Sequence, residues 1–213
     1  PDLTMEKLDL TKLYKSYYTA TPKPELIEIA PARFLSITGK GDPSAPEFAA
    51  NTQAMYATAY GIKFACKALN KDFVVAKLEG LWSFDESKYG GLSIADAPRN
   101  VPRSEWEYRL LIRMPEFVTS DQVASMTAQI VEKKQIDQAA RVELYEMSEG
   151  LCIQVLHTGP FENEPQTLEL VSAFIKEEKL AKNGLHHEIY LSDFNKTAPE
   201  KLKTILREPV RRI

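Results

Sequence analysis

The chain has little cysteine: two residues in 213, Cys66 and Cys152, neither in a CxxC pair. Two thiols so far apart build no disulfide framework, which implies a reducing, cytoplasmic location with each thiol buried in an apolar segment. No apolar run approaches the ~18 residues of a membrane span, and the first residues hold no signal-like apolar stretch. Only three histidines occur, His157, His186 and His187. As strand neighbours, His186 and His187 point to opposite faces and cannot chelate one metal together. With no cysteine pair to help them, a zinc site is rejected and no metal or cofactor is expected. Also missing are a GxSxG elbow, a GxxxxGK[ST] phosphate loop and a GxGxxG helix opening. Basic charge is not in excess either, with 27 Lys and Arg against 30 Asp and Glu, a net charge of −3. Direct nucleic-acid binding through a broad basic face is therefore not favoured. The one basic cluster, Arg207, Arg211 and Arg212, reads as a solvated terminus.

What is present is an ordinary globular composition, 44% apolar and 27% charged, enough to bury a sizeable core. Residues 1–30 read as a polar, Tyr-rich lead-in ended by Pro22 and Pro24. Beyond Pro31 the pattern turns regular. Residues 33–38 alternate as a strand, and Gly39 to Pro43 carry turn chemistry. Phe48, Thr52, Met55, Ala59, Ile62, Cys66 and Leu69 then recur at spacings of four and three, the stripe of one long helix, with Tyr56, Tyr60 and Phe64 on its flank. Residues 73–82 form a strand candidate in which Gly80 marks a bulge or a close approach. After a loop-like stretch over 83–103, Trp106 to Met114 alternates as a half-buried antiparallel strand. Thr119 and Gln122 make a capping box that opens a helix through about Lys134.

The second half repeats the theme. Strand candidates at 142–145 and 151–157 are followed by a Gly159-Pro160 break, where His157 anchors the turn. A helix runs from near Glu164 to Leu180, then strands at 185–193 and about 202–210. The expected fold is α+β, built from duplicated βαββ modules that form a joined antiparallel sheet, with two long helices flanking a ligand groove. The expected organisation is the lead-in over 1–30 and one domain over 31–213, its pseudo-repeats spanning about 31–140 and 141–213.

The strand at 185–193 carries the functional signal. Alternation puts His186, Glu188, Tyr190 and Ser192 on one face and His187, Ile189 and Leu191 on the other, a chemically equipped face and a greasy one. A carboxylate in such company is desolvated, which raises its pKa, and a cationic ligand lowers it again by pairing. Solvation at the surface beside Arg109 or Arg113 is the alternative for Glu188. Trp82 and Trp106 are candidates for either core or pocket.

Six segments in order carry a family resemblance: Gly39 to Pro43, Met55 to Phe64, Leu78 to Trp82, His157 to Phe161, His186 to Asp193 and Pro199 to Arg207. Over roughly residues 8–212 they resemble the stand-alone branch of the GyrI-like small-molecule-binding proteins. The resemblance implies a groove between the two long helices, shared with the effector domains of multidrug-responsive regulators. In those regulators a buried acidic residue recognises cationic, aromatic drugs, and Glu188 stands in the equivalent motif. Some stand-alone members hydrolyse cyclopropane-bearing DNA-alkylating compounds. The chain departs from the regulators in that residues 1–30 are too short and proline-broken for a helix-turn-helix. It departs from the stand-alone pattern at Ser83 and Phe194.

The expected role is thus capture of a hydrophobic, aromatic or cationic small molecule, with Glu188 as acidic anchor or catalytic base and Trp82, Tyr108, Tyr60, Tyr190 and Tyr56 as ligand-binding walls. Detoxifying hydrolysis of cyclopropane-bearing genotoxins by Glu188 is the alternative, and protection of gyrase by direct contact a second one. No membrane partner is expected, and the sequence specifies no oligomeric state.

Overall fold

The computed structural model describes residues 6–213, so the first five residues of the lead-in, and with them the start of the chain, lie outside the described residues. The strands in chain order are β1 Leu8–Asp9, β2 Glu25–Ile29, β3 Ala32–Lys40, β4 Phe73–Val74, β5 Leu78–Ser83, β6 Glu107–Arg113, β7 Glu143–Met147, β8 Gly150–Thr158, β9 Leu180–Lys182, β10 His186–Tyr190 and β11 Lys203–Arg212. The helices are α1 Leu10–Leu13, α2 Pro46–Ala68, α3 Glu86–Tyr89, α4 Ala97–Asn100, α5 Ser120–Lys134 and α6 Glu164–Glu177. None is long and apolar enough to cross a membrane.

Nine strands form one antiparallel sheet in the order β2-β8-β11-β10-β5-β6-β3-β7, with β9 added to the far end of β11. Two strand–helix–strand–strand units are visible in that order. In each, the last strand lies between the first two, giving β3-β6-β5 and β8-β11-β10, and the units meet where β5 pairs with β10. Two strands cross the seam: β7 pairs with β3 of the first unit, and β2 pairs with β8 of the second.

That exchange closes the sheet on itself. Residues 30–31 alone link β2 to β3, and residues 148–149 alone link β7 to β8, although each link joins strands from opposite ends of the sheet. Three Cα steps span at most ~11 Å, so the two ends must curl together. The centre of the enclosed face is shut off from solvent: Phe34, His187, Arg207 and Glu79 are all fully buried.

The lead-in fills this concave face. Tyr17 and Tyr18 are buried; the Tyr17 hydroxyl donates to Glu79, its carbonyl accepts from Arg207, and Arg113 stacks on the Tyr14 ring. Alternation does not register such a cover, and for that reason the half-buried reading of residues 106–114 fails. From Leu110 onward both faces of β6 are buried. Arg207 is likewise no part of a solvated terminus; only Arg211 and Arg212 are exposed.

The outer face carries the helices. Along α2 the stripe Phe48, Met55, Ala59, Ile62 and Cys66 is buried, whereas Leu69 at its end is exposed. The helix starts with Pro46 in its first turn, where the missing N–H costs nothing. Thr119 and Gln122 form the reciprocal capping box of α5. Leu168 and Val171 of α6 pack on Ile153, Val155, Leu206 and Val210 of the sheet. Two readings shift in detail. Gly39 belongs to β3 and the turn begins at Gly41, and the stretch over 73–82 divides into β4 and β5 around residues 75–77. Both cysteines are buried free thiols. His157 bonds both the Pro160 carbonyl and the Thr167 hydroxyl, which holds the turn before α6.

Candidate functional site

At the seam between the two units, Glu188 lies opposite Gly80, and His186 lies opposite Trp82. Alternation therefore places Trp82, His186, Glu188 and Tyr190 on the helix side of the sheet. Gly80 is what makes the arrangement possible: a Cβ there would sit 2.8 Å from the Trp82 indole nitrogen and 3.1 Å from the Tyr190 hydroxyl. Glycine leaves that space to the Trp82 ring, whose N–H donates to the Tyr190 hydroxyl at 3.0 Å. That hydroxyl donates in turn to Glu188 Oε1 at 2.9 Å.

The second oxygen of Glu188 accepts from His186 Nε2 at 2.8 Å, while His186 Nδ1 bonds Glu208 Oε1. Glu188 is thus 8% exposed and paired. Arg109 and Arg113 stand on the concave side, so neither serves as its partner. Burial opposes the charge on His186, but Glu208 and Glu188 overcome it and hold the imidazole well above its usual range. Burial likewise works against ionised Glu188, and the hydrogen bond from His186 brings its pKa below the usual value.

Glu164, in the first turn of α6, completes the group. Burial and the adjacent Glu188 carboxylate raise its pKa well above the ordinary carboxyl range, which favours its protonated form. Its Oε1 is buried with no hydrogen-bond partner among the described residues. Glu164, His186 and Glu188 each offer a ligand atom within 4.8 Å of the others. A divalent cation would fit that spacing only after His186 gave up its Nε2 proton and Glu164 its own, and the donor pattern suits proton sharing better. The divergence of His186 and His187 holds, but it left this second set unconsidered.

Aromatic rings surround the carboxylates. Phe48 stacks on Trp82 with centroids 6.1 Å apart, and Tyr108 lies 5.5 Å from Trp82. Tyr108 is turned away from Glu188, over Gly39, and its hydroxyl accepts from Asn51 Nδ2 at 2.9 Å. Phe161 and Phe194 meet the Tyr190 ring at 6.0 and 5.6 Å. Tyr56 is half-buried, and burial with the nearby Asp193 carboxylate pushes its pKa up to about 12. Tyr60 is half exposed beside Phe64; among the described residues no hydrogen bond or ring contact joins it to the Glu188 group.

Two contributors escaped the sequence reading. Glu164 resembled an ordinary helix-start carboxylate favoured by the macrodipole, and nothing local marked it as buried. Glu208 did leave a trace, since it shares the alternating face of Leu206 and Val210 and is the one charge among them. The opposite side of β10 is not greasy: His187 is fully buried between Glu79, 2.8 Å from Nε2, and Glu149, 2.9 Å from Nδ1. Burial works against its charge, but the two carboxylates override it and push the pKa up to about 9.

Solved structures with this architecture include an uncharacterized conserved protein from Listeria innocua, 37% identical, with a TM-score of 0.85 over 96% of this chain and 100% of that one. A hydrolase from Listeria innocua is 35% identical, with a TM-score of 0.81 over the same shares. The EcmrR C-terminal domain shares the fold at 9% identity, with a TM-score of 0.58 over 90% of this chain and 98% of that one. No curated protein sequence matches the chain significantly. The profile of the GyrI-like small molecule binding domain matches residues 110–211, covering β6 to β11 and with them Glu164, His186 and Glu188. With this match and full-length relatives above one-third identity, the chain belongs to the GyrI-like small-molecule-binding family.

Proposed function

We propose that the protein captures hydrophobic, aromatic compounds, cations among them, in a groove between α2 and α6 with Glu188 as its acidic anchor. The observation that carries this reading is an imbalance of charge. Glu164, Glu188 and Glu208 are buried around a single imidazole, His186. Three carboxyl groups against one imidazole leave an excess of acidic groups in a low-dielectric site, which an organic cation would balance. Trp82, Tyr190, Phe161 and Phe194 supply the ring faces, each worth ~0.5–2 kcal/mol to a cation placed over it. Titration calorimetry with benzyltrimethylammonium tests the reading. Glu188→Gln should weaken binding by about tenfold or more, the usual worth of a charge-assisted contact. Equal affinity in the two proteins would sink it.

A second reading, hydrolysis of a cyclopropane-bearing electrophile, is favoured by the proton asymmetry between Glu164 and Glu188. Ionised Glu188 takes a proton from water as its oxygen bonds to the ring methylene. The strained C–C bond breaks, and the neutral Glu164 acid gives its proton to the departing carbon framework. A proton passed from Glu188 to Glu164 restores the starting state. The relative named as a hydrolase is consistent with this chemistry. Mass spectrometry of a cyclopropane-bearing alkylator after incubation should show the gain of one water with wild type and none with Glu188→Gln. No conversion by wild type would remove the hydrolytic reading for that class.

A further inference from the structure

Behind Trp82 and His186, on the side away from Glu188, lies a cavity of about 190 Å³ roofed by residues 84–106. Its walls include the rings of Trp82, Phe84 and Trp106, with His186 and Glu208 as buried or half-buried polar groups and the exposed Glu86 and Lys182 at its rim. Phe84 and Trp106 meet edge to face at 5.1 Å, so the roof is itself an aromatic pair. Both indole N–H groups are already spent, Trp82 on Tyr190 and Trp106 on the Val101 carbonyl at 3.3 Å. His186 has likewise committed both ring nitrogens, to Glu188 and Glu208.

Among the buried side chains of the lining, one polar atom is left over. Glu208 is 1% exposed, its Oε1 is engaged by His186, and its Oε2 has no partner. A buried acceptor without a donor is rare and points to a missing group. The cavity is smaller than the ~300–1,000 Å³ that encloses a whole drug-sized ligand, so it suits one or two fused rings.

We infer that this cavity is a binding subsite for a planar heteroaromatic ring bearing an N–H, which stacks among Trp82, Phe84 and Trp106 and donates to Glu208 Oε2. The subsite lies beyond the Glu188 groove and does not depend on whether that carboxylate holds a cation or activates water.

The chain has only two tryptophans, and both line the cavity. In protein labelled with ¹⁵N-tryptophan, the indole N–H signals of Trp82 and Trp106 therefore report occupancy directly, and Trp106 reports on this cavity alone. Indole as probe should shift the Trp106 signal in a saturable way. Benzofuran, the same shape without the N–H, should bind at least tenfold more weakly. Ser83 lines the cavity, and Ser83→Phe should fill it and abolish the shift. No shift with indole at millimolar concentration overturns the site, as does an unchanged shift in folded Ser83→Phe. Equal binding of benzofuran overturns the role of Glu208. Should Ser83→Phe not fold, the indole and benzofuran pair on the wild-type protein still decides the matter.

Discussion

Gly80 and Glu188 are direct partners across the β5–β10 ladder, and the space left by the missing side chain of the first is taken by the Trp82 indole and the Tyr190 hydroxyl that donates to the second. A methyl group at Gly80 would sit within 2.8 Å of the Trp82 indole and displace the ring from Tyr190. Gly80→Ala should cost ~1–3 kcal/mol, as overpacking does. Denaturant titration checks the loss, and a shift of the Trp82 emission checks its cause.

Tyr190 links two groups that have no other hydrogen-bond connection, accepting from Trp82 and donating to Glu188. Tyr190→Phe leaves a buried N–H and a carboxylate oxygen short of a partner. The expected loss is ~1–3 kcal/mol per stranded group. It should also raise the Glu188 pKa, because a donor to the ionised form is gone. Infrared spectroscopy of the carboxyl band against pH would show that rise; an unmoved band would contradict the assigned contact.

Glu164 has a folded pKa raised by burial and by Glu188, above the unfolded value near 4.5. The stability linked to its proton is fully present below that unfolded value and is lost as pH rises toward the folded one. Glu164→Gln cannot ionise, so its stability relative to wild type should grow as pH rises above the unfolded value of 4.5. Thermal melts of both proteins above that value are the measurement, and parallel curves would contradict the raised pKa.

His187 presents the same sign by another route. Its folded pKa of about 9 exceeds the unfolded value of 6.5. Stability from the Glu79 and Glu149 contacts is complete below pH 6.5 and is lost as pH rises through 9. At ~1.4 kcal/mol per pKa unit the span is about 3 kcal/mol. Imidazole NMR should find this ring still protonated at pH 8, and a midpoint near 6.5 would refute the buried pairing.

Much of the architecture could be read directly from the chain. The α2 stripe, the Thr119–Gln122 box, the alternation of β10 and the echo between β3 and β8 are all local patterns, and each matches an observed element. What escaped was set by distant parts of the chain. Residues 25–29 read as the end of the lead-in, yet they lie in the sheet because β8 offers them an edge. Arg207 looks like a surface residue until Tyr17 and the lead-in cover it. The same holds at the site, where Glu188 stood out through its apolar neighbours while Glu164 is buried only because α6 presses it against β10. Burial of a charge is a tertiary property, and no periodicity encodes it.

The exchange of β2 and β7 between the two units also dictates an order of events. As the chain is made, Glu25 has no partner until Gln154 exists, and the first unit stays open at one edge until residues 143–147 arrive to seal it. Neither unit can finish alone, and a sheet built from such long-range pairings folds slowly. The chain must therefore fold as one body, with the Glu188 seam assembled only when almost the whole sequence is available.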